Sequence, residues 1–284
     1  MPTAVLRALR RNHAAKVAVG VIVLVVFVGL FAPLISPHDP NLQNLDLKLR
    51  PPFWMSGSEP GYLLGTDKLG RDVLSRIMYG TRVSLLVGLA ATVLSGLVGA
   101  VIGVISGYYR GWREQVFMRL ADVQLAFPSI LLALAIIAVL GPSLFFMILV
   151  LGLTGWVSYA RVVRAEVLSL REREFVTAAR AIGDTGPQIM ARHLVPNIVA
   201  PLATIGTLQV AAMIVAEASL SYLGLGVPPS VPTWGSLLAD GQLYLRSAWW
   251  IAVFSGAAIM MTTLAINVTG DLLRDVADPK AYTR

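Results

Sequence analysis

The residues able to do chemistry in this 284-residue chain are few, and most stand together at 161–197. That stretch carries six arginines and four acids, Glu166, Glu172, Glu174 and Asp184. Ten charges at roughly 2.5 kcal/mol each would cost on the order of 25 kcal/mol in hydrocarbon, so the stretch belongs in water. Elsewhere no catalytic grouping forms. His13, His38 and His193 are too scattered to hold a metal, and with no cysteine there is no thiolate site, disulfide or cysteine nucleophile. No G-x-x-x-x-G-K-[ST] loop occurs, so the chain cannot hydrolyse ATP by that route. What remains are single polar residues in apolar surroundings: Asp122, Glu217 and Asn267.

The elements that must position these residues are apolar. The chain is 56% hydrophobic and 14% charged, against about 25% charged for an average soluble domain. A crossing needs ~20 apolar residues. Runs that meet this lie at 17–35, 83–107, 123–160, 198–223 and 249–270. The run 123–160 is uncharged for 38 residues, and Gly141-Pro142-Ser143 divides it, which gives an all-α polytopic membrane protein with six spans. The first run follows Arg7, Arg10, Arg11 and Lys16 and is longer than a signal-peptide core, so it reads as a retained helix. The net charge of +7 fits basic cytoplasmic loops facing a lipid bilayer, not nucleic-acid binding. Placing both termini inside puts most basic residues inside: the N-terminal four, Arg110, Arg113, Arg119, the six of 161–197, and Arg274, Lys280 and Arg284. Residues 1–16 are then cytoplasmic, 36–82 form an extracytoplasmic segment, and 83–284 carry five spans with 161–197 as a cytoplasmic loop.

Local patterns refine this frame. In 36–82 the prolines make the chain irregular until Thr66, after which Leu69, Val73, Leu74, Ile77 and Met78 share one face of an amphipathic interfacial helix, with Asp67, Arg71, Asp72 and Arg76 opposite. Ser95, Gly99, Gly103 and Gly107 recur every four residues, a seam for close packing either within the chain or against a partner. The stretch 161–182 has no Gly or Pro and good helix formers; Gly183 stops it, and Asp184 or Thr185 caps a second helix with Pro187 in its first turn. Pro196-Asn197 then breaks the chain before the fifth span. Thr177, Ala178 and Ala179 leave a small surface beside the turn, fit for close approach by another protein. Glu217 sits near the outer end of its span, either as a pathway or gating residue or as a buried hydrogen-bond partner that holds the following bend. Asp122 and Asn267 are pathway candidates too, though Asp122 has the position of a helix cap and both suit structural roles. Trp234, Tyr244, Trp249 and Trp250 in the loop 224–250 suit interface anchoring, and this loop with 36–82 could also receive a substrate-delivering protein.

The spacing Ala178-Ala179, Gly183, His193, Val195-Pro196 resembles the "EAA" loop of ABC importer permeases, with Thr177 where that family usually carries Glu, and Glu174 nearly one turn earlier. Leu64-Gly65-Thr66-Asp67, Gly70-Arg71-Asp72, Ala126-Phe127-Pro128-Ser129, Glu217-Ala218-Ser219-Leu220-Ser221 and Pro232-Thr233-Trp234-Gly235 resemble the dipeptide, oligopeptide and nickel branch. The likeness covers nearly the whole chain and is strongest to the second, or C, permease of dipeptide importers. It implies a type I importer permease fold in a bacterial inner membrane. It implies alternating access, a second homologous permease, two ATPase subunits that bind ATP and Mg, and an extracytoplasmic substrate-binding protein. It also implies a coupling role for Glu174, Thr177, Ala178, Ala179, Gly183, His193 and Pro196. Nickel or another small solute is the alternative cargo within the branch. A self-contained secondary transporter or channel, or a membrane-embedded enzyme, are alternatives of other classes, and each would need charged or catalytic residues in the spans.

Overall fold

The computed structural model describes residues 12–277, so Arg7, Arg10, Arg11, Lys280 and Arg284 lie outside the described residues. The described chain is helical: α1 His13–Ile35, α2 Val73–Tyr109, α3 Gly111–Leu125, α4 Ser129–Leu140, α5 Leu144–Leu170, α6 Glu174–Ala181, α7 Gly186–Ile189, α8 Val195–Tyr222, α9 Trp234–Gln242 and α10 Trp249–Ala277. Five helices are long and apolar enough to cross a membrane, six if the bent pair α3–α4 counts as one span.

The third span departs from the expected straight helix. α3 and α4 meet at 88° across Ala126-Phe127-Pro128. Pro128 cannot donate to the α3 ladder and disfavours helix at Phe127, so the helix stops and restarts in a new direction. Gly141, at φ +87°, then turns the chain into α5 as expected.

α2 is longer than the run that foretold it. Its 37 residues span ~55 Å at 1.5 Å each, nearly twice the hydrocarbon. Its helical start is Val73, not Thr66. Asp67 Oδ1 accepts from the backbone N–H of Leu69 at 2.8 Å and of Arg71 at 3.0 Å, a local turn that competes with helix. Gly70 sits at φ +72°, and a Cβ there would lie 1.7 Å from the Asn44 carbonyl oxygen. Asp72 then caps α2 by accepting from Ser75 N–H at 3.0 Å. The charges expected on an exposed face are instead interior: Asp67, Arg71, Asp72 and Arg76 are each 7% exposed or less. Arg71 Nε reaches Asp67 at 2.7 Å, and Lys68 reaches Asp240 of α9 at 2.6 Å. Pairing compensates this desolvation for Arg71 and Asp67, whereas Arg76 stands 3.7 Å from Asp67 and keeps Nε and Nη1 buried without a hydrogen-bond partner.

The aromatic residues of 224–250 also turn inward. Trp234 Nε1 donates to Ile77 O at 3.1 Å and Trp250 Nε1 to Thr66 O at 3.2 Å. Both indoles are nearly fully buried, so they tie α9 to α2 and α10 to the 36–72 segment and do not serve as interface anchors.

The glycine seam packs within the chain. A Cβ on Gly99, Gly103 or Gly107 would lie 2.5, 2.7 or 2.8 Å from the Cβ of Tyr159, Val163 or Val167. Only the missing side chains let α2 and α5 approach so closely.

Candidate functional site

Two regions carry the polar groups. The first is the 161–197 loop. Its first helical part is the end of α5, which runs unbroken to Leu170. Arg171 Nη1 donates to Tyr108 O at 2.7 Å, which satisfies an orphan carbonyl at the end of α2 and places a cation on that helix's negative pole. Arg164 donates through Nε to Glu114 at 2.7 Å and through Nη2 to the same oxygen, tying α3 to α5.

After a turn at Arg171–Arg173 the short α6 begins at Glu174, a favourable place for an acid. It ends at Gly183, φ +95°, where Gly183 N–H donates to Arg180 O at 3.1 Å and Asp184 N–H to Ala179 O at 3.0 Å. These two bonds are the Schellman stop. Thr185 then starts α7, its N–H and hydroxyl both donating to Gln188 Oε1 at 2.8 Å. His193 Nε2 meets Asp184 Oδ2 at 3.2 Å, so the histidine staples the turn to the helix that follows.

Pro196 does not break the chain. Residues Met190–Leu194 widen into a π-turn in which Val195 N–H reaches back to Met190 O, and α8 continues from Val195. The wider turn makes room for a proline ring and its missing donor.

The faces of α6 divide cleanly. Val176 and Ala179 are buried with Val104, Val163, Val167, Ile189 and Leu194. Thr177, Ala178 and Gly183 are exposed, and Ile182 is 81% exposed. Ala179 therefore faces the chain's own core, while Thr177 and Ala178 face out beside an uncovered isoleucine. The protruding surface is small, partly apolar and rigidly mounted.

The second region lies among the spans. Glu217 is fully buried and lines no cavity; Oε2 accepts from Ser84 of α2 and Oε1 from Ser221 of α8, each at 2.7 Å. It joins two helices beneath the cap formed with the 36–72 segment. Asp122 lies in the last turn of α3, not at a helix start, and pairs with Arg161 at 2.6 Å. Asn267 is exposed on α10, away from both.

A cavity of about 220 Å³ opens between α4, α5 and α8. Its polar lining is Ser129, Thr154, Ser158 and Gln209, with Leu151 and Met213 among its apolar walls. Thr154, Ser158 and Gln209 are not among the pathway candidates the sequence offers, and Ser129 enters there only within the Ala126-Phe127-Pro128-Ser129 motif. The one signal available was Gln209, an amide within an apolar run. Among the described residues no group of three or more His, Cys, Asp or Glu could hold a metal ion.

Comparison with known proteins agrees with this arrangement. Residues 99–282 match the family described as the binding-protein-dependent transport system inner membrane component. Residues 3–52 match the N-terminal TM domain of oligopeptide transport permease C. The di/tripeptide transport system permease protein DppC of Pseudomonas aeruginosa is 43% identical over 90% of this chain and 85% of its own length. The dipeptide transport system permease protein DppC of Escherichia coli K12 is 43% identical over 95% of this chain and 90% of its own. In fold, a solved structure of the MetNI methionine ABC transporter aligns with TM-score 0.57 at 19% identity, covering 72% of this chain and 97% of that one. The chain belongs to the family of inner membrane components of binding-protein-dependent transport systems.

Proposed function

We propose that this chain forms half of the translocation pathway of an ATP-driven importer for di- and oligopeptides. Its relatives are permeases of dipeptide and di/tripeptide transport systems, and those names favour peptide over nickel as cargo. Family membership is itself incompatible with a self-contained secondary transporter. The other half is a second homologous permease. A binding protein delivers peptide at the outer cap, and two ATPase subunits, which bind ATP and Mg, act from the cytoplasm on the 161–197 loop. This chain supplies no ATP chemistry.

The observation that carries this reading is the outward face of α6: Thr177, Ala178 and Ile182 exposed on a helix whose other face and both ends are pinned. A free connector needs no such mounting. A groove on the ATPase that grips this face passes displacement to α5 through the Arg171–Arg173 turn, and on to α2 through the Arg171–Tyr108 bond. The glycine seam keeps α2 and α5 together as they move. Work is transmitted only if the ATPase binds the two permease states with different affinity. Glu174, Gly183, His193 and Pro196 act here by shaping and holding α6, and Glu217 by joining α2 to α8, with both termini cytoplasmic.

Purifying the tagged chain in mild detergent and identifying what accompanies it tests the reading. A second permease and an ATPase are expected; recovery without any ATPase would sink it.

A further inference from the structure

We propose that Gln209, Ser158 and Ser129 form a contact site for the peptide backbone within the spans of this half of the pathway. The inference rests on the peptide-importer reading and names the groups that touch the cargo.

Three observations converge. The first is depth. At 1.5 Å per residue, Ser129 lies ~17 Å along α4 from Leu140, Ser158 ~21 Å along α5 from Leu144, and Gln209 ~20 Å along α8 from Tyr222. Those three helix ends share one side, so three polar groups from three helices meet at one level, in the part of the ~30 Å hydrocarbon layer nearer the Asp122–Arg161 pair.

The second is that these groups lack partners. Among the described residues the half-buried Gln209 amide and the exposed Ser129 and Ser158 hydroxyls form no hydrogen bond within the chain, and all three line the cavity. Some neighbouring polar groups are satisfied, although the buried Thr92 hydroxyl is not. Ser95 donates to Gly152 O at 2.8 Å, and Gln124 bonds Thr154 O at 2.6 Å and the Trp156 indole at 2.8 Å. Unpaired polar groups at membrane depth persist where they face a polar occupant. A Cβ on Gly155 would first crowd Ser95 Oγ and Met213 Cε, and would stand 3.2 Å from Gln209 Nε2.

The third is charge. No ionised side chain lines the cavity. A carboxamide and two hydroxyls each donate and accept, which matches a peptide group, and they carry no charge that would select a terminal ammonium or a carboxylate. Leu151 and Met213 add an adaptable apolar wall. Such a site holds any short peptide by its amide and grips none by its side chains, so cargo enters and leaves readily.

The test uses the complete importer in lipid vesicles, with loaded binding protein outside and ATP supplied to the ATPases. Uptake per ATP hydrolysed is read for a dipeptide series that varies only in side chains. Gln209→Leu is expected to lower that ratio about tenfold, by the same factor across the series, with Gln209→Asn recovering much of the loss. A ratio within twofold of wild type, or a loss that tracks side-chain type, overturns the site. Should Gln209→Leu fail to assemble, Ser158→Ala decides: a uniform loss of about threefold supports the site and no loss overturns it. A wild-type complex that carries no peptide overturns both this site and the function beneath it, whereas wild-type uptake unaffected by these variants overturns the site alone.

Discussion

Gly103→Ala and Gly96→Ala are the same change in the same helix, and the geometry gives them opposite outcomes. A Cβ on Gly103 would lie 2.7 Å from Val163 Cβ and 2.8 Å from Ala160 O. Carbon contacts settle near ~3.5–4.0 Å, so α2 and α5 must part by ~1 Å. A Cβ on Gly96 meets the Tyr159 ring at 3.6 Å, an ordinary contact. Alanine gains ~0.5–1 kcal/mol of helix preference at either site, so that contribution cancels between the two. Overpacking costs about 1–3 kcal/mol at Gly103 alone. Thermal unfolding of the assembled importer in lipid nanodiscs should therefore give a midpoint several degrees lower for Gly103→Ala than for Gly96→Ala, with Gly96→Ala at or above wild type. Uptake should follow, because α5 carries both Ser158 and the start of the coupling loop. If Gly103→Ala melted as high as Gly96→Ala, the close seam between α2 and α5 would be wrong.

Three further outcomes follow from the same geometry. Glu217→Leu strands the Ser84 and Ser221 hydroxyls, at about 1–3 kcal/mol for each donor left unpaired, so it should melt well below Glu217→Gln in detergent; equal midpoints would remove the carboxylate as a joint. Gly70→Ala adds a side chain against Asn44 at a left-handed φ, and should open the outer cap to protease added from the extracytoplasmic side; unchanged cleavage at 44–70 would contradict the packing there. Ala178→Arg places a long cation on the exposed face of α6, and should abolish ATP-driven uptake while leaving membrane insertion intact, as read by uptake and by membrane fractionation; surviving uptake would remove α6 as the docking face.

Sequence carried five of the spans because crossing hydrocarbon demands length and apolarity, and both are local properties; the third is instead a helix pair bent by 88°. It carried the Schellman stop at Gly183 and the start of α7 at Thr185 for the same reason: caps are written within four residues. Departures arose where tertiary contacts decide. Asp67, Arg71, Asp72 and Arg76 have the spacing of a polar face, yet Asp240, far along the chain, helps to draw them inward. Trp234 and Trp250 suit a membrane interface by type, but a distant carbonyl takes each indole proton. Pro196 reads as a break because a π-turn has no signature in residue type. The exposure of Ala178 and the burial of Ala179 could not be separated, since adjacent alanines differ only in what packs behind them. The cavity escaped because neutral polar residues carry meaning only when three helices bring them together.

The central claim is that α6 presents Thr177 and Ala178 to an ATPase. The chain contains no cysteine, so single cysteines report cleanly. In the assembled importer, Ala178→Cys should join the ATPase through a short thiol-to-amine cross-linker, with a yield that changes when ATP is added. Ala179→Cys, at a position only 3% exposed and facing the core, should not. An importer that hydrolyses ATP yet gives no ATPase product from Ala178→Cys, or gives equal yields from both positions, would contradict the account.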